Sequence, residues 1–295
     1  MKGQWFLLLP VLWAVAYAVG GILLKRALQA GAGALRIAFL NNMVLGVLFA
    51  PGLCFLPKNL TPGDLTWPLV ASALFFIGQV FTFMAMRLGD VTVVTPTMGI
   101  KVVFVAVFAV ILKAGPVPWT WWAGSALATT AVFLLGLSDW RGQQRAGRTA
   151  LMAMVAAAMY GICDVIVQMH ASSLGPYAFS SVLMTAAAVA SFGLIPFFRA
   201  PLRAMPRAAW PWALGGGAIV AVQCGGVAMT IAIFSQAITV NILYSTRGLW
   251  SILIVWIAGS WFGNHEGRAG RGVMGRRLAG ALLLLAAVAL VMIKP

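Results

Sequence analysis

Acidic residues are nearly missing from this 295-residue chain: Asp and Glu together number 5, and charged residues of all kinds make up 8%. Soluble domains carry about 25% charged residues, so a water-facing surface is excluded. Histidine occurs only as His170 and His265, far apart in sequence. No HExxH, GxSxG or GxxxxGK[ST] pattern is present, so zinc hydrolysis, a serine nucleophile elbow and direct ATP drive lack their residues. The three cysteines, Cys54, Cys163 and Cys224, sit in apolar segments without CxxC spacing. They read as small lipid- or core-facing residues, with neither a disulfide framework nor a metal site implied. No cofactor is expected.

What fills the chain is apolar: hydrophobic residues make up 62%. Runs of about 20 residues, enough to cross ~30 Å of hydrocarbon as helix, recur along its length. The expected fold is an all-α integral membrane protein with ten transmembrane spans, at 5–26, 35–56, 67–88, 91–113, 117–138, 149–170, 176–198, 209–234, 236–262 and 274–293. The first span lacks a small-residue cleavage site behind it and reads as a retained helix. Short loops marked by Pro57, Pro62, Pro116, Pro118, Gly175-Pro176, Pro201 and Pro206 separate the spans. Trp5, Trp67, Trp119, Trp210 and Trp261 fall near span ends, where indole anchors the interface.

The net charge of +15 would suggest nucleic acid in a soluble protein, but its placement suggests a bilayer. The odd-numbered connections hold Lys25, Arg26, Arg36, Arg87, Arg141, Arg145, Arg148, Arg199, Arg203, Arg207, Arg268, Arg271, Arg276 and Arg277. The even connections and both termini hold Lys2, Lys58, Lys113 and Lys294. With basic loops inside, both termini are expected to be extracytoplasmic, in the cell's inner (plasma) membrane.

The two halves, 1–145 and 146–295, resemble each other. Tyr17-Ala18 matches Tyr160-Gly161, which sets Gly21 opposite Asp164 and Lys25 opposite Gln168. In spans 4 and 9 Lys101 falls opposite Arg247 and Thr95 opposite Asn241. In spans 5 and 10 Ala123-Gly124 pairs with Ala279-Gly280, and Ala131-Val132 with Ala287-Val288. Five spans per half make the second half inverted relative to the first, a plan that sets a substrate site near the midplane. Ten apolar spans in this repeat resemble the drug/metabolite transporter superfamily, specifically its EamA-type members. The resembling elements are Trp13-Ala14-Val15-Ala16-Tyr17, Met159-Tyr160-Gly161, Val93-Val94-Thr95-Pro96 and Gly263-Asn264-His265-Glu266 before Gly280. The resemblance implies a ten-helix transporter of small molecules.

Charge inside the hydrocarbon costs at least ~2.5 kcal/mol on insertion scales and usually faces a cavity or a partner. Three such residues are expected: Lys101 deep in span 4, Arg247 near the middle of span 9 and Asp164 in span 6. Two equivalent cations facing one deep acid leave a positive charge over, which suits an anionic substrate group; the alternative is an ion pair of Asp164 with Lys101 or Arg247 that locks helices. Tyr160, Asp164 and Gln168 share one helical face, as do Tyr244, Arg247 and Ser251, while Tyr17, Thr97, Gln79 and Gln223 complete the candidate lining. Asp164 is the candidate proton carrier, and Pro96 the candidate hinge. The expected function is secondary active transport, exporting or exchanging a small metabolite with an anionic group (amino acid, carboxylate or phosphorylated compound), by a monomer or homodimer. The alternatives are a flippase of an anionic lipid carrier and a membrane-embedded enzyme.

Overall fold

A helix satisfies its own backbone, which is why apolar segments in lipid have few other choices. The computed structural model describes residues 5–88, 94, 97–136, 146–258 and 271–292. Thr95, Pro96, Arg141, Arg145 and the Gly263–Glu266 element lie outside the described residues. Among the described residues the regular structure is all helical, with no strand.

The helices are α1 (Leu8–Gln29), α2 (Ala34–Phe49), α3 (Thr66–Leu88), α4 (Lys101–Ile111), α5 (Trp119–Gly136) and α6 (Ala146–Leu174), followed by α7 (Pro176–Ala190), α8 (Trp210–Phe234), α9 (Ala237–Tyr244), α10 (Arg247–Ala258) and α11 (Arg271–Met292). Among the described residues, six helical segments are long and apolar enough to cross a membrane: Leu8–Gln29, Ala34–Phe55, Pro62–Ala85, Gly147–Leu174, Pro176–Phe197 and Arg207–Phe234. Large apolar side chains such as Leu8, Val47, Val189 and Leu278 point outward, as a lipid-facing surface requires.

Helix packing pairs α1 with α8 and α3 with α6, α2 with α7, and α5 with α11. The innermost elements follow the same scheme: α4 lies on α6, while α9 and α10 lie on α1. Small residues permit the close crossings. A Cβ on Gly20 of α1 would stand 2.7 Å from Val220, and one on Gly216 of α8 would stand 2.9 Å from Leu23. A Cβ on Gly161 of α6 would meet Phe104 of α4 at 3.1 Å. Gly33 and Gly175 precede α2 and α7 with φ of 79° and 85°. That left-handed conformation is open to glycine with little strain, and it turns the chain into each second span.

Two expectations need correction. Span 9 is not one helix over 236–262: α9 ends at Tyr244, Ser245 and Thr246 form a turn, and α10 starts at Arg247. Span 4 is interrupted as well, because Gly99 and Ile100 form a turn before α4. Neither Lys101 nor Arg247 therefore sits mid-helix; each is the first residue of a helix that follows a break. Apolar periodicity runs through both breaks unaltered, so the sequence pattern did not mark them. The freed carbonyls are met locally. Ser245 Oγ donates to Ile242 O at 2.6 Å, Thr246 Oγ1 to Leu243 O at 2.7 Å, and across the other break Thr129 Oγ1 donates to Gly99 O at 3.3 Å.

Candidate functional site

The two breaks face a cavity of about 150 Å³, room for on the order of five waters. Its polar lining is Tyr17, Gln79, Thr82, Lys101, Tyr160, Asp164, Gln223, Tyr244 and Arg247. Phe75, Met98, Val167, Leu183 and Met184 are among the apolar residues that complete the wall. Of the residues singled out in the sequence, Lys101, Arg247, Asp164, Tyr160, Tyr244, Gln79, Gln223 and Tyr17 thus converge on one space. Thr97 does not line it; its carbonyl accepts the amide of Ile100 at the turn.

Asp164 pairs with Lys101, not Arg247. Lys101 Nζ lies 2.7 Å from Asp164 Oδ2, and Asn241 Nδ2 donates to the same oxygen at 2.7 Å. The Tyr160 ring, one turn before Asp164, lies 5.7 Å from the ammonium. The pair is close to fully buried, with side-chain exposures of 13% and 11%. In a low-dielectric interior such a pair holds three helices, α4, α6 and α9, in register, and removing either partner would strand a charge. The expected excess of cation over acid therefore falls on Arg247 alone.

Arg247 is held by rings. Its guanidinium carbon lies 4.9 Å from the Tyr17 ring centre and 4.7 Å from that of Tyr244, and the two rings meet edge-on at 6.2 Å. An aromatic face attracts a desolvated cation by about 2 kcal/mol or more, which orients the guanidinium without neutralising it. The described carboxylates are Asp164, already paired, and Asp64, bonded to Thr61 in an exposed turn. Among the described residues Arg247 thus has no carboxylate partner.

The amides have separate duties. Gln79 Nε2 donates to Asn42 Oδ1 at 2.9 Å, and Asn42 Nδ2 returns a bond to Gln79 Oε1 at 2.7 Å. That exchange joins α2 to α3 beside the cavity. Gln168, expected on the cavity face, instead bridges the chain just past α4 to the start of α9: its Nε2 donates to Ala114 O at 3.2 Å and its Oε1 accepts the first amide of α9, Ala237 N, at 2.7 Å. The face of α6 rotates past the cavity by that point, so eight residues of shared helical face overextended the prediction. Cys163 and Cys224 belong to the wall rather than to lipid.

Sequence reasoning missed Asn241 and Asn42. Asn241 is a lone amide in the apolar run Ala237–Tyr244 and falls opposite Thr95 in the repeat, which was the available signal. Asn42 had only its position in an apolar span to mark it.

Comparison with solved structures finds a crystal structure of a protein that matches at a TM-score of 0.74 and 14% identity, covering 98% of this chain and 98% of its own. That identity speaks for a shared fold alone. Comparison with curated proteins finds no match. Residues 4–137, a little under half of the chain, match the EamA-like transporter family, a likeness in keeping with the long apolar helices of a multi-pass membrane protein.

Proposed function

We propose that this protein is a secondary active transporter that moves a small metabolite with an anionic group by alternating access. The observation that carries the reading is Arg247: a guanidinium in the wall of a partly open cavity, at a helix break, with two aromatic rings and no carboxylate of the described chain beside it. A buried charge with no carboxylate partner among the described residues is costly unless a ligand completes it. In this reading Arg247, Tyr17 and Tyr244 hold the anion, while Lys101, Asp164, Tyr160 and Gln79 shape the opposite wall. Wild-type protein in vesicles, offered a mixed metabolite pool, should exchange an anionic compound detected by mass spectrometry. Arg247→Ala should exchange it at least tenfold less, and equal exchange by both proteins would sink the reading.

Ten crossings in two inverted halves, 1–145 and 146–295, belong to the same proposal. Helix breaks just before Lys101 and Arg247, turns at Gly33 and Gly175, and the equivalent packing of α1 on α8 and α6 on α3 support it. With basic loops in the cytoplasm, both termini lie outside the inner membrane. A cysteine at Arg203 should resist an impermeant thiol reagent added to intact cells, and ready labelling would reverse the orientation. Asp164 is the proposed proton site. Its Oδ2 is held by Lys101 and Asn241, so proton entry requires this pair to open during the cycle.

A further inference from the structure

Four arginines away from the cavity gather at one end of the helices. Helices α1 and α8 run antiparallel, since Gly20 of α1 faces Val220 while Gly226 of α8 faces Trp13. Helices α2 and α7 do likewise: Phe39 meets Phe192 edge-on at 5.4 Å, and Gly46 faces Ala188. The end of α1, the start of α2, the end of Pro176–Phe197 and the start of Arg207–Phe234 therefore meet at one end of the bundle. Arg36, Arg199, Arg203 and Arg207 stand there. We propose that this end is a docking surface for anionic phospholipid: its phosphates lie against Arg199, Arg203 and Arg207, and its acyl chains run along the exposed Phe192, Ile195 and Phe197.

Packing holds these cations close together. Arg36 donates through one terminal nitrogen to Gly31 O at 3.0 Å and through the other to Pro201 O at 3.4 Å. That ties the α1–α2 turn to the chain between Arg199 and Arg203, each two residues from Pro201 and so within about 7 Å of it along the backbone. A Cβ on Gly31 would lie 3.5 Å from Pro206, the residue before Arg207. Beneath this connection Met205 is buried, packed with Ala27, Ile37, Leu40 and Ala213. Arg203 and Arg207, two residues to either side of Met205, are exposed. The connection is thus anchored on an apolar floor and leaves its cations at the surface.

Charge and apolar surface together identify the partner. Of the described carboxylates, Asp164 lies in the cavity and Asp64 in the turn before α3, so neither neutralises the cluster. The opposite ends of the same four segments carry Lys58 and Asp64, which cancel, as their only described charges. Basic residues beside an anionic membrane surface are attracted to it. A soluble polyanion would use the charge alone. Here the exposed Phe192, Ile195 and Phe197 lead directly into Arg199, and the exposed Trp212 and Leu214 follow Arg207. Phe192 and Ile195, three residues apart in the 3-10 helical stretch Ser191–Phe197, share one face. Apolar side chains that end in guanidinium groups match a molecule with an acyl tail and a charged head. A phosphodiester also offers two free oxygens to an arginine fork.

The test is thermal unfolding of the purified full-length protein in detergent, titrated with phosphatidylglycerol or with phosphatidylcholine of the same acyl chains. Phosphatidylglycerol should raise Tm by about 3 °C or more beyond phosphatidylcholine, because a ligand of the folded state stabilises it. Equal shifts from the two lipids overturn the proposal, and that comparison needs no variant. In Arg199→Gln/Arg203→Gln/Arg207→Gln the excess should fall by at least half, while Lys58→Gln, at the opposite end, should keep it. A full excess in the triple variant, or an equal loss in Lys58→Gln, overturns the assignment to this end. Should the triple variant not fold, Arg203→Gln alone decides: part of the excess should go, and an unchanged excess overturns the assignment. Glycerol 3-phosphate, a head without tails, should shift Tm by less than about a third as much at the same concentration. An equal shift would make this a site for free phosphate and overturn the lipid assignment.

Discussion

Around Lys101 the chain provides a carboxylate, an amide that also binds that carboxylate, and one tyrosine ring. Around Arg247, at the second helix break, it provides two tyrosine rings and no described carboxylate. Both cations begin a helix that follows a break, so backbone geometry and helix dipole are alike and the difference lies in side chains. One buried cation is thus clasped by a carboxylate, while the other is bordered by aromatic rings.

The largest effect expected concerns the clasp. Lys101→Ala strands Asp164 in a buried site and should destabilise the protein by on the order of 3 kcal/mol, read as thermal unfolding in detergent. Replacing both partners, Lys101→Met with Asp164→Leu, should recover most of that loss, since no charge is then left unpaired. If the double variant is no more stable than Lys101→Ala, the pair is not what holds α4 to α6.

Arg247 should respond in the opposite way. Arg247→Ala should cost about 1.5–3 kcal/mol of ligand binding, roughly ten- to a hundredfold in affinity, while Tm without ligand stays level or rises. Arg247→Lys should weaken binding substantially despite conserving charge, because an ammonium cannot grip a carboxylate with a fork. A fall in Tm for Arg247→Ala as large as that for Lys101→Ala would erase the contrast between the two cations. Asp164→Asn sharpens it further. Accumulation against a gradient should be lost while exchange survives in part, and retained accumulation would leave Asp164 a purely structural partner of Lys101.

Most of the architecture was legible because lipid permits so little: apolar runs became helices near the expected places, and Pro or Gly marked the turns. Convergence was legible too. Lys101, Asp164, Tyr160, Arg247, Tyr244 and Tyr17 were drawn together by repeat register and helical spacing, and all six line the cavity. What remained illegible was the pairing. Sequence left Asp164 a choice between two cations, and the choice depends on α6 lying against α4 while α1 lies against α10. The breaks were hidden for a related reason. Gly99-Ile100 and Ser245-Thr246 interrupt no hydropathy pattern, and a Ser-Thr pair in an apolar helix reads equally well as side chains bonded back to their own turn.

That ambiguity leads to the smallest expected effect. The two breaks are stabilised differently: between Tyr244 and Arg247 the turn itself supplies Ser245 and Thr246, whose hydroxyls bond Ile242 O and Leu243 O. At Gly99-Ile100 the turn has no hydroxyl of its own, and the Gly99 carbonyl instead receives Thr129 of α5 at a longer 3.3 Å. Each local bond is worth about 1 kcal/mol net. Ser245→Ala and Thr246→Ala should each cost no more than about that in stability, because the carbonyl they leave is buried but retains backbone partners nearby: Ser245 N bonds Ile242 O at 3.2 Å and Thr246 N bonds Leu243 O at 3.2 Å. The functional consequence should exceed the thermodynamic one. Arg247 takes its aim from the turn before it, so the double variant Ser245→Ala/Thr246→Ala should lower ligand affinity several-fold while Thr129→Ala, which loosens only the clasped half, should leave affinity within about twofold. Isothermal titration of the transported compound against the three proteins makes the comparison. Equal losses at both breaks would mean that the two half-helices move as one, and that the difference between the halves ends at their side chains.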